Sequence, residues 1–345
     1  MNTLLVADIG GTYARFAIAR SSELDRPGIG HPAGGPMTIG PIWSTEVRSR
    51  NSAVEAIRDF LAVDSLGARI DGALLAVAGP VEGGRCRLTN AAWTIDEEEI
   101  AHAFSIPWVR IVNDLEAAAA GLPELAASQT RLIGPDSALV GAPMAILAPG
   151  TGLGMACLID GPSGRRVITS EGGHATLASI GPQYDRLIDF LRGKYDQHVS
   201  IERVLSGAGL SNLHLALASC EGGSAIHRTP VEVTASAFDG SSPLCRAAID
   251  AFCAFLGAVA GDLALTFGAR GGVFIGGGIV PRFVDHLARS AFRAQFEAKG
   301  RMHGYVARIP TRVIIHPNPA LIGLVALARA MRDRPRPAKI GRAHV

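Results

Sequence analysis

The chain has 345 residues, a length that predicts about two domains. Apolar residues make up 48% of the sequence and charged residues 19%, which excludes intrinsic disorder over most of its length. The net charge is only +2, from 33 basic and 31 acidic residues, so no strong electrostatic field is available to hold nucleic acid or an anionic membrane. We therefore expect neither of these as a partner.

The cysteines and the apolar runs of the sequence predict the cellular location of the protein. The five cysteines are odd in number and show no Cys-x-x-Cys or paired Cys/His spacing, which disfavours a disulfide framework and a zinc site. The first residues lack the basic flank and long apolar core of a signal peptide. The longest apolar run, residues 251–261, is far shorter than the roughly 20 residues that a bilayer requires. A reducing, cytoplasmic location is the expectation.

The elements in chain order begin with a glycine-turned hairpin. Residues 4–9 are a short apolar run typical of a buried strand, Gly10 and Gly11 interrupt it, and residues 14–19 predict a second strand. Apolar runs predict further strands at residues 72–78, 108–112, 145–148, 155–159, 272–275 and 311–316. Helical spacing predicts helices at residues 53–63, 115–122, 245–267 and 318–331.

The same strand–glycine turn–strand plan occurs twice. Residues 145–159 repeat the pattern of residues 4–19 about 140 positions later, with PGTGLG as the turn. We interpret this as an internal duplication that gives two similar α/β halves. Coincidence is the alternative, since hairpins of this kind are common. We place the domains at residues 1–113 with 318–345 and at residues 114–317, with a loose tail after about residue 333.

The sharpest local signal is DIGGT at residues 8–12. Glycines at such a turn let backbone N–H groups point at a ligand, and the Thr12 hydroxyl also suits phosphate oxygens. Asp8 is placed to hold Mg²⁺ directly or through water. The segment is neither a P-loop nor a dinucleotide fingerprint, because no GxxxxGK[ST] occurs and a strand follows the turn. An ordinary hairpin turn is the alternative interpretation.

Two further glycine segments extend this hypothesis. Residues 149–154 offer a second set of backbone donors, so two turns could clamp a polyphosphate. Gly276, Gly277 and Gly278 follow a predicted strand and offer flat backbone for a nucleotide base. Each segment is a weak signal alone, and the three together are hard to explain as independent loops.

Several polar residues are candidates for catalysis or sugar binding. Asp114 is either the N-cap of the helix that follows it or a general base, and both roles are compatible. Glu171 and His174 flank a glycine pair that would let them converge on one polar ligand, or they lie on a solvated turn. Glu202, at the start of an apolar helical stretch, has a surface helix face as its plainer interpretation. Asn90 follows a loop and would bind hydroxyls or form a simple turn.

The motifs in this order resemble those of the bacterial glucokinases of the non-ROK type. The resemblance runs from residue 4 to about residue 331 and rests on DIGGT (8–12), LTN (88–90), ND (113–114), GTGLG (150–154), EGGH (171–174), ERVLSG (202–207), GGVFIGGGIVPRF (271–283) and HPNPALIG (316–323). It implies the fold shared by hexokinases, acetate kinase and actin: two duplicated, ribonuclease H-like α/β domains around a central cleft. One departure is Tyr13, where the family pattern usually has Asn.

The resemblance also implies a reaction and a set of roles. ATP and Mg²⁺ would phosphorylate glucose to glucose 6-phosphate, with Asp114 as the base for the 6-hydroxyl, and the family commonly forms homodimers. The sugar would contact Asn90, Asn113, Glu171, His174 and Glu202. ATP would contact Ala7, Asp8, Ile9, Gly10, Gly11, Thr12, Gly150, Thr151, Gly152, Gly154, Gly276, Gly277 and Gly278. A kinase for another hexose or amino sugar, or a non-catalytic sugar sensor of the same fold, is the alternative.

Overall fold

The computed structural model describes residues 3–21, 37–63, 69–88, 91–161, 164–223 and 226–332. Asn90, one of the predicted sugar ligands, and the predicted loose tail lie outside these residues. The described chain divides into two compact units. The first runs to Glu124 and resumes at Asn318, and the second is Leu125–Pro317.

Both units contain strands and helices. The strands are β1 (Thr3–Ile9), β2 (Tyr13–Ser21), β3 (Met37–Ile39), β4 (Trp43–Glu46), β5 (Gly72–Val77), β6 (Arg85–Arg87), β7 (Thr94–Asp96), β8 (Val109–Asn113), β9 (Thr130–Ile133), β10 (Met144–Pro149), β11 (Leu153–Gly161), β12 (Gly164–Ser170), β13 (Gly272–Ile275) and β14 (Thr311–Ile314). The helices are α1 (Ala53–Val63), α2 (Glu97–Phe104), α3 (Asp114–Ala120), α4 (Pro182–Lys194), α5 (Gly207–Cys220), α6 (Pro230–Phe238), α7 (Pro243–Phe267), α8 (Val284–Arg289), α9 (Phe292–Glu297), α10 (His303–Val306) and α11 (Pro319–Arg332).

The main sheets of the two units share one topology, which confirms the predicted duplication. The first has the order β3-β2-β1-β5-β8, and the second has β12-β11-β10-β13-β14, extended at its edge by β9. In each, an antiparallel hairpin (β1–β2 or β10–β11) is followed by two parallel strands. The apolar runs become the central strands, and every residue of β5 and β13 is buried, as expected for parallel strands covered on both faces.

The first unit is closed by a helix from the far end of the chain. Helix α11 packs on α3 and on β1 and β5, and the backbones of α3 and α11 approach closely where Gly121 meets Gly323. This packing groups residues 114–124 with the first unit, whereas the sequence analysis put its boundary before Asp114. The difference follows from a contact between segments two hundred residues apart in sequence.

The long apolar helix α7 forms the core of the second unit. It packs against α5, α6 and α9, and Phe252, Phe255 and Leu256 are fully buried. Among the described residues, α7 is the one helix long and apolar enough to cross a membrane by length and composition. However, 83% of its most apolar window is buried inside the unit, as in a core helix of a globular domain.

Candidate active site

The glycine turn of the first unit is anchored at both ends. The Gly10 N–H donates to the Tyr13 carbonyl oxygen over 2.9 Å, and the Val47 N–H donates to the Thr12 carbonyl oxygen over 2.9 Å. Ala7 and Ile9 are fully buried in β1, which pairs with β2 and β5 along its length. Asp8 and the three turn residues are more accessible, so these four can present groups to a ligand.

The charge state of Asp8 is affected by a nearby cation, Arg15, and by a second carboxylate, Asp114. Its Oδ2 is 3.7 Å from Nη1 of Arg15, the residue directly opposite in the β1–β2 register. Burial raises the pKa of Asp8 to about 6; the Arg15 guanidinium opposes this shift, and the charge of Asp114 adds to it. A divalent cation would relieve this repulsion. One or two carboxylates supplemented by substrate phosphates and water form the donor set that Mg²⁺ usually takes, so these residues fit the metal.

Asp114 reaches the same edge of the first sheet because parallel strands end together. Strands β1, β5 and β8 are parallel neighbours, with Ala76 paired to Asp8 and Val77 paired to Asn113. In open α/β sheets, ligands bind outside the carboxyl ends of such strands. Burial raises the pKa of the Asp114 carboxyl above its usual value, which makes it a better proton acceptor.

The helix cap is Asn113, so the N-cap alternative for Asp114 is wrong. The Asn113 Oδ1 accepts from the N–H groups of Leu115 at 3.0 Å and Glu116 at 3.3 Å, and its Nδ2 donates to the Gly79 carbonyl oxygen at 3.3 Å. Asp114 is the first residue of α3, and its Oδ1 also accepts from the Leu115 N–H, at 2.8 Å. The favourable N-terminal position of the carboxylate is retained, while its second oxygen is not used in this contact.

The glycine turn of the second unit is held by the segment that contains Glu202. Its internal bond runs from the Gly150 N–H to the Gly152 carbonyl oxygen over 2.8 Å, and the Gly207 N–H donates to the Gly150 carbonyl oxygen over 2.9 Å. The Leu153 N–H donates to Oε2 of Glu202 over 2.8 Å. Within the described residues, no hydrogen bond engages the N–H groups of Thr151 and Gly152. These two donors can therefore face an incoming phosphate.

Gly276, Gly277 and Gly278 lie against this second turn. The Gly276 N–H donates to the Leu147 carbonyl oxygen over 2.9 Å, next to the end of β10. Gly277 has φ +78°, and a Cβ there would lie 2.1 Å from the Pro149 carbonyl oxygen, so a glycine is required. A Cβ on Gly278 would meet no atom within 4 Å. The structure thus brings together two of the segments that the sequence assigned to ATP.

Glu171, His174 and Glu202 lie in adjacent segments beside β11. Glu171 precedes the 3-10 helix Gly172–His174, which packs against β11, and Glu202 lies in the 3-10 helix Ile201–Arg203. The Ile201 N–H joins the two segments by donating to the Ala175 carbonyl oxygen at 2.9 Å. The Glu171 and His174 side chains are 94% and 63% exposed, with Oε2 and Nε2 3.9 Å apart. The helical stretch predicted after Glu202 is instead one 3-10 turn, and α5 begins at Gly207.

Two contacts at the candidate site were not predicted from the sequence: the Arg15–Asp8 pair and the bond from Leu153 to Glu202. Arg15 was predictable, because a hairpin that pairs residue 9 with residue 14 places residue 15 opposite Asp8. The bond from the Leu153 N–H to Glu202 was not, because it spans 49 positions and no local pattern encodes it. No group of three or more His, Cys, Asp or Glu side chains suited to a metal occurs in the part of the chain described.

Comparison with known proteins gives one family. A family model described as Glucokinase matches residues 5–331. A glucokinase from Paramagnetospirillum magneticum is 41% identical over 325 residues, covering 94% of this chain and 97% of that protein. The crystal structure of a glucokinase from an Antarctic psychrotroph has a TM-score of 0.86 and 36% identity, covering 95% of this chain and 99% of that one.

A more distant structure shows the fold alone. It is a ROK family glucokinase from Streptomyces griseus in complex with glucose and AMPPNP, with a TM-score of 0.59 and 20% identity, covering 95% of this chain and 99% of that one. These neighbours have the actin-like two-domain α/β fold of sugar kinases, which agrees with the duplicated sheets described above. From the family match and the extent of identity, we conclude that the chain belongs to the glucokinase family.

Proposed function

We propose that the protein is a glucokinase, which transfers the γ-phosphoryl group of ATP to the 6-hydroxyl of glucose and forms glucose 6-phosphate and ADP. The observation that carries this proposal is the Asp114 carboxylate, whose pKa burial raises and which lies at the carboxyl edge of the first sheet. A carboxylate in that state is suited to accept the proton of a bound alcohol. The 41% identity to a named glucokinase supports the choice of substrate.

The remaining chemistry depends mainly on positioning. As the 6-oxygen attacks the γ-phosphorus, Asp114 accepts the hydroxyl proton, and the bond from phosphorus to the bridging oxygen of ADP breaks. Backbone N–H groups of the two glycine turns, with the Thr12 and Thr151 hydroxyls, offer donors to the phosphate oxygens. Asp8 would hold Mg²⁺, which supplies positive charge next to the phosphates. Gly276, Gly277 and Gly278 would flank the adenosine.

The sugar ligands are proposed from exposure and proximity. Glu171 and His174 are strongly exposed, and Glu202 lies in the adjoining segment. Carboxylates and an imidazole are suited to sugar hydroxyls, because a carboxylate accepts hydrogen bonds from hydroxyl groups and a neutral imidazole can both donate and accept. Asn113 and Asn90 complete the proposed set. The Asn113 Nδ2 donates one of its two hydrogens to the Gly79 carbonyl oxygen, and the other hydrogen can donate to a sugar hydroxyl.

The location and the oligomeric state are proposed on separate grounds. All five cysteines are free, as expected in the reducing cytoplasm, where glucose phosphorylation begins glycolysis. We propose a homodimer on the family resemblance alone, and size-exclusion chromatography with light scattering checks it.

A coupled assay tests the function. ADP release is followed with MgATP and a panel of hexoses and amino sugars. We expect glucose to give the highest kcat/KM. A higher kcat/KM for another hexose or amino sugar would show that the protein is a kinase for that sugar instead. Sugar binding without any turnover would favour a non-catalytic sensor.

A further inference from the structure

A polar cavity lies in the second unit, beside the residues proposed to bind glucose. Its volume is about 540 Å³, which is within the usual range of small-molecule sites. Apart from Gly193, every lining residue has a charged or hydrogen-bonding side chain: His174, Lys194, Tyr195, Asp196, His198, Ser200 and Arg203. The proposed reaction uses only His174 of these residues, so the cavity needs a separate explanation.

A buried amide organises the cationic wall of this cavity. Asn212 is only 3% exposed, and its Oδ1 accepts from Lys194 Nζ at 2.8 Å and from the Tyr195 hydroxyl at 3.0 Å. Its Nδ2 donates to the Arg203 carbonyl oxygen at 2.8 Å. The Arg203 guanidinium then lies over the Tyr195 ring, 4.2 Å from its centre. The Asn212 side chain thereby holds three of the lining residues, Lys194, Tyr195 and Arg203, in place.

The charge of the cavity favours an anion. Within the described residues, neither Lys194 nor Arg203 has a carboxylate partner, whereas the nearby Arg192 of α4 is paired with Asp189 at 2.6 Å. Two imidazoles add donors, and Asp196 is the one carboxylate in the lining. A guanidinium with free N–H groups beside an ammonium is a typical phosphate-binding pair.

The loop that carries these residues is strained. Asp196 and Gln197 are consecutive non-glycine residues with φ +50° and +73°. Left-handed backbone is unfavourable for residues with a side chain, and strain of this kind concentrates at binding sites. The strained turn follows the end of α4 and brings Asp196 and His198 to the cavity.

We propose that this cavity binds a phosphorylated sugar, with its phosphate on Arg203 and Lys194 and its hydroxyls toward His198 and Asp196. A free phosphate ion would satisfy the cations but would leave most of the volume unfilled. A sugar phosphate of hexose size fills more of it, and the Asp196 carboxylate then has hydroxyl donors to accept from. The alternative is a purely structural role, in which Lys194 offsets the negative end of the α4 dipole.

Equilibrium dialysis with labelled glucose 6-phosphate tests the proposal. The active site is first filled with saturating glucose and AMPPNP, whose binding is measured in the same way. We expect one further equivalent of glucose 6-phosphate to bind. This blocking step rests on the proposed function, so failure of glucose or AMPPNP to bind would count against that function and not against the cavity. Loss of all glucose 6-phosphate binding in the blocked enzyme would overturn the proposal.

Matched variants locate the bound sugar phosphate. Arg203→Gln and Lys194→Gln should each weaken its binding by about tenfold or more, because a charged hydrogen-bond partner is lost. Arg192→Gln removes the same charge from an already paired residue and should bind normally. His198→Gln is a second probe if a cationic variant melts early. Wild-type affinity in both cationic variants, or inorganic phosphate binding as tightly as glucose 6-phosphate, would overturn the assignment.

Discussion

The two glycine turns occupy equivalent places in the duplicated units and are held in different ways. The turn after β1 is closed by its own strand through Tyr13 and by the backbone of Val47. The turn after β10 is held from a distance, by the Glu202 carboxylate and the Gly207 N–H. The first turn therefore adjoins two carboxylates, Asp8 and Asp114, and the second adjoins polar residues proposed to bind sugar.

This difference shows how a duplicated scaffold acquires two roles. In both units the strand–turn–strand plan presents backbone N–H groups at one edge of a sheet. What varies is the chemistry next to each turn. In the first unit the parallel strands β5 and β8 bring Asp114 to the edge, whereas in the second β13 brings a glycine run. We expect both units to contact the substrates, with the base supplied by the first unit and the glycine run beside adenosine supplied by the second.

The largest expected effect is the loss of the base in the first unit. Asp114→Asn keeps an oxygen that can accept from the Leu115 N–H, so the start of α3 and the melting temperature should be preserved. The kcat should fall by about 10²–10⁴-fold, because the 6-hydroxyl proton has no acceptor. Steady-state kinetics and thermal unfolding measure the two quantities separately.

A control for this variant lies at another helix start of the same unit. Asp96 caps α2, and its Oδ1 accepts from the N–H groups of Glu98 and Glu99. Asp96→Asn should leave kcat unchanged. A near-normal kcat in Asp114→Asn would leave that carboxylate with only a structural contact and would remove the proposed division of roles.

The next effect concerns the glycine run of the second unit. Gly277→Ala should raise KM for ATP by roughly tenfold or more and destabilise the fold by about 1–3 kcal/mol, because it introduces both an unfavourable φ and a clash with the Pro149 carbonyl. Gly278→Ala, with open space at its Cβ, should leave stability unchanged. Kinetics with varied ATP and denaturant unfolding measure both. Equal loss of stability in the two variants would contradict this explanation.

The strands and the turns were readable from sequence because their signals are local. The buried strand at residues 272–275 and the helix at residues 53–63 were predicted with the bounds that the structure has. Strand β12 and helices α2 and α4 were not predicted. β12 is mostly exposed and lacks an apolar run, α2 has only 8 residues, and α4 is rich in charged residues, so none of them shows a continuous apolar run.

The sequence predicts which residues form the candidate site but does not predict the hydrogen bonds that hold them. Asn and Asp are both good N-caps, so sequence alone could not assign the cap of α3 between Asn113 and Asp114. The choice depends on strand β8 ending at Asn113, where the Gly79 carbonyl holds its amide. The Glu202 contact depends in the same way on tertiary packing, and it changes what a mutation at this position should do.

A smaller effect is expected at Glu202 and distinguishes its two roles, as a proposed sugar ligand and as the acceptor for the Leu153 N–H. Glu202→Ala removes both the proposed sugar ligand and the acceptor for the Leu153 N–H, so KM should rise for glucose and also for ATP, each by about tenfold. Glu202→Gln keeps an oxygen for Leu153 and should raise KM mainly for glucose. His174→Ala has no bond to the turn and should raise KM for glucose alone. An unchanged KM for ATP in Glu202→Ala would show that the hydrogen bond from Leu153 to Glu202 is not needed to hold the turn that binds phosphate.

The smallest effect is expected at Tyr13, where the chain departs from the family pattern. Its ring is 44% exposed at the start of β2, and the bond that closes the turn uses its carbonyl and not its side chain. Tyr13→Asn should therefore change kcat/KM for ATP by less than about tenfold, or roughly 1.4 kcal/mol. Tyr13→Phe, which removes only the hydroxyl, is the control. A gain in Tyr13→Asn well beyond that limit, with no gain in Tyr13→Phe, would mean that the ring obstructs the first turn. A comparable loss in both variants would mean that the phenol hydroxyl contacts ATP, and the first unit would then bind nucleotide through a side chain as well as through backbone.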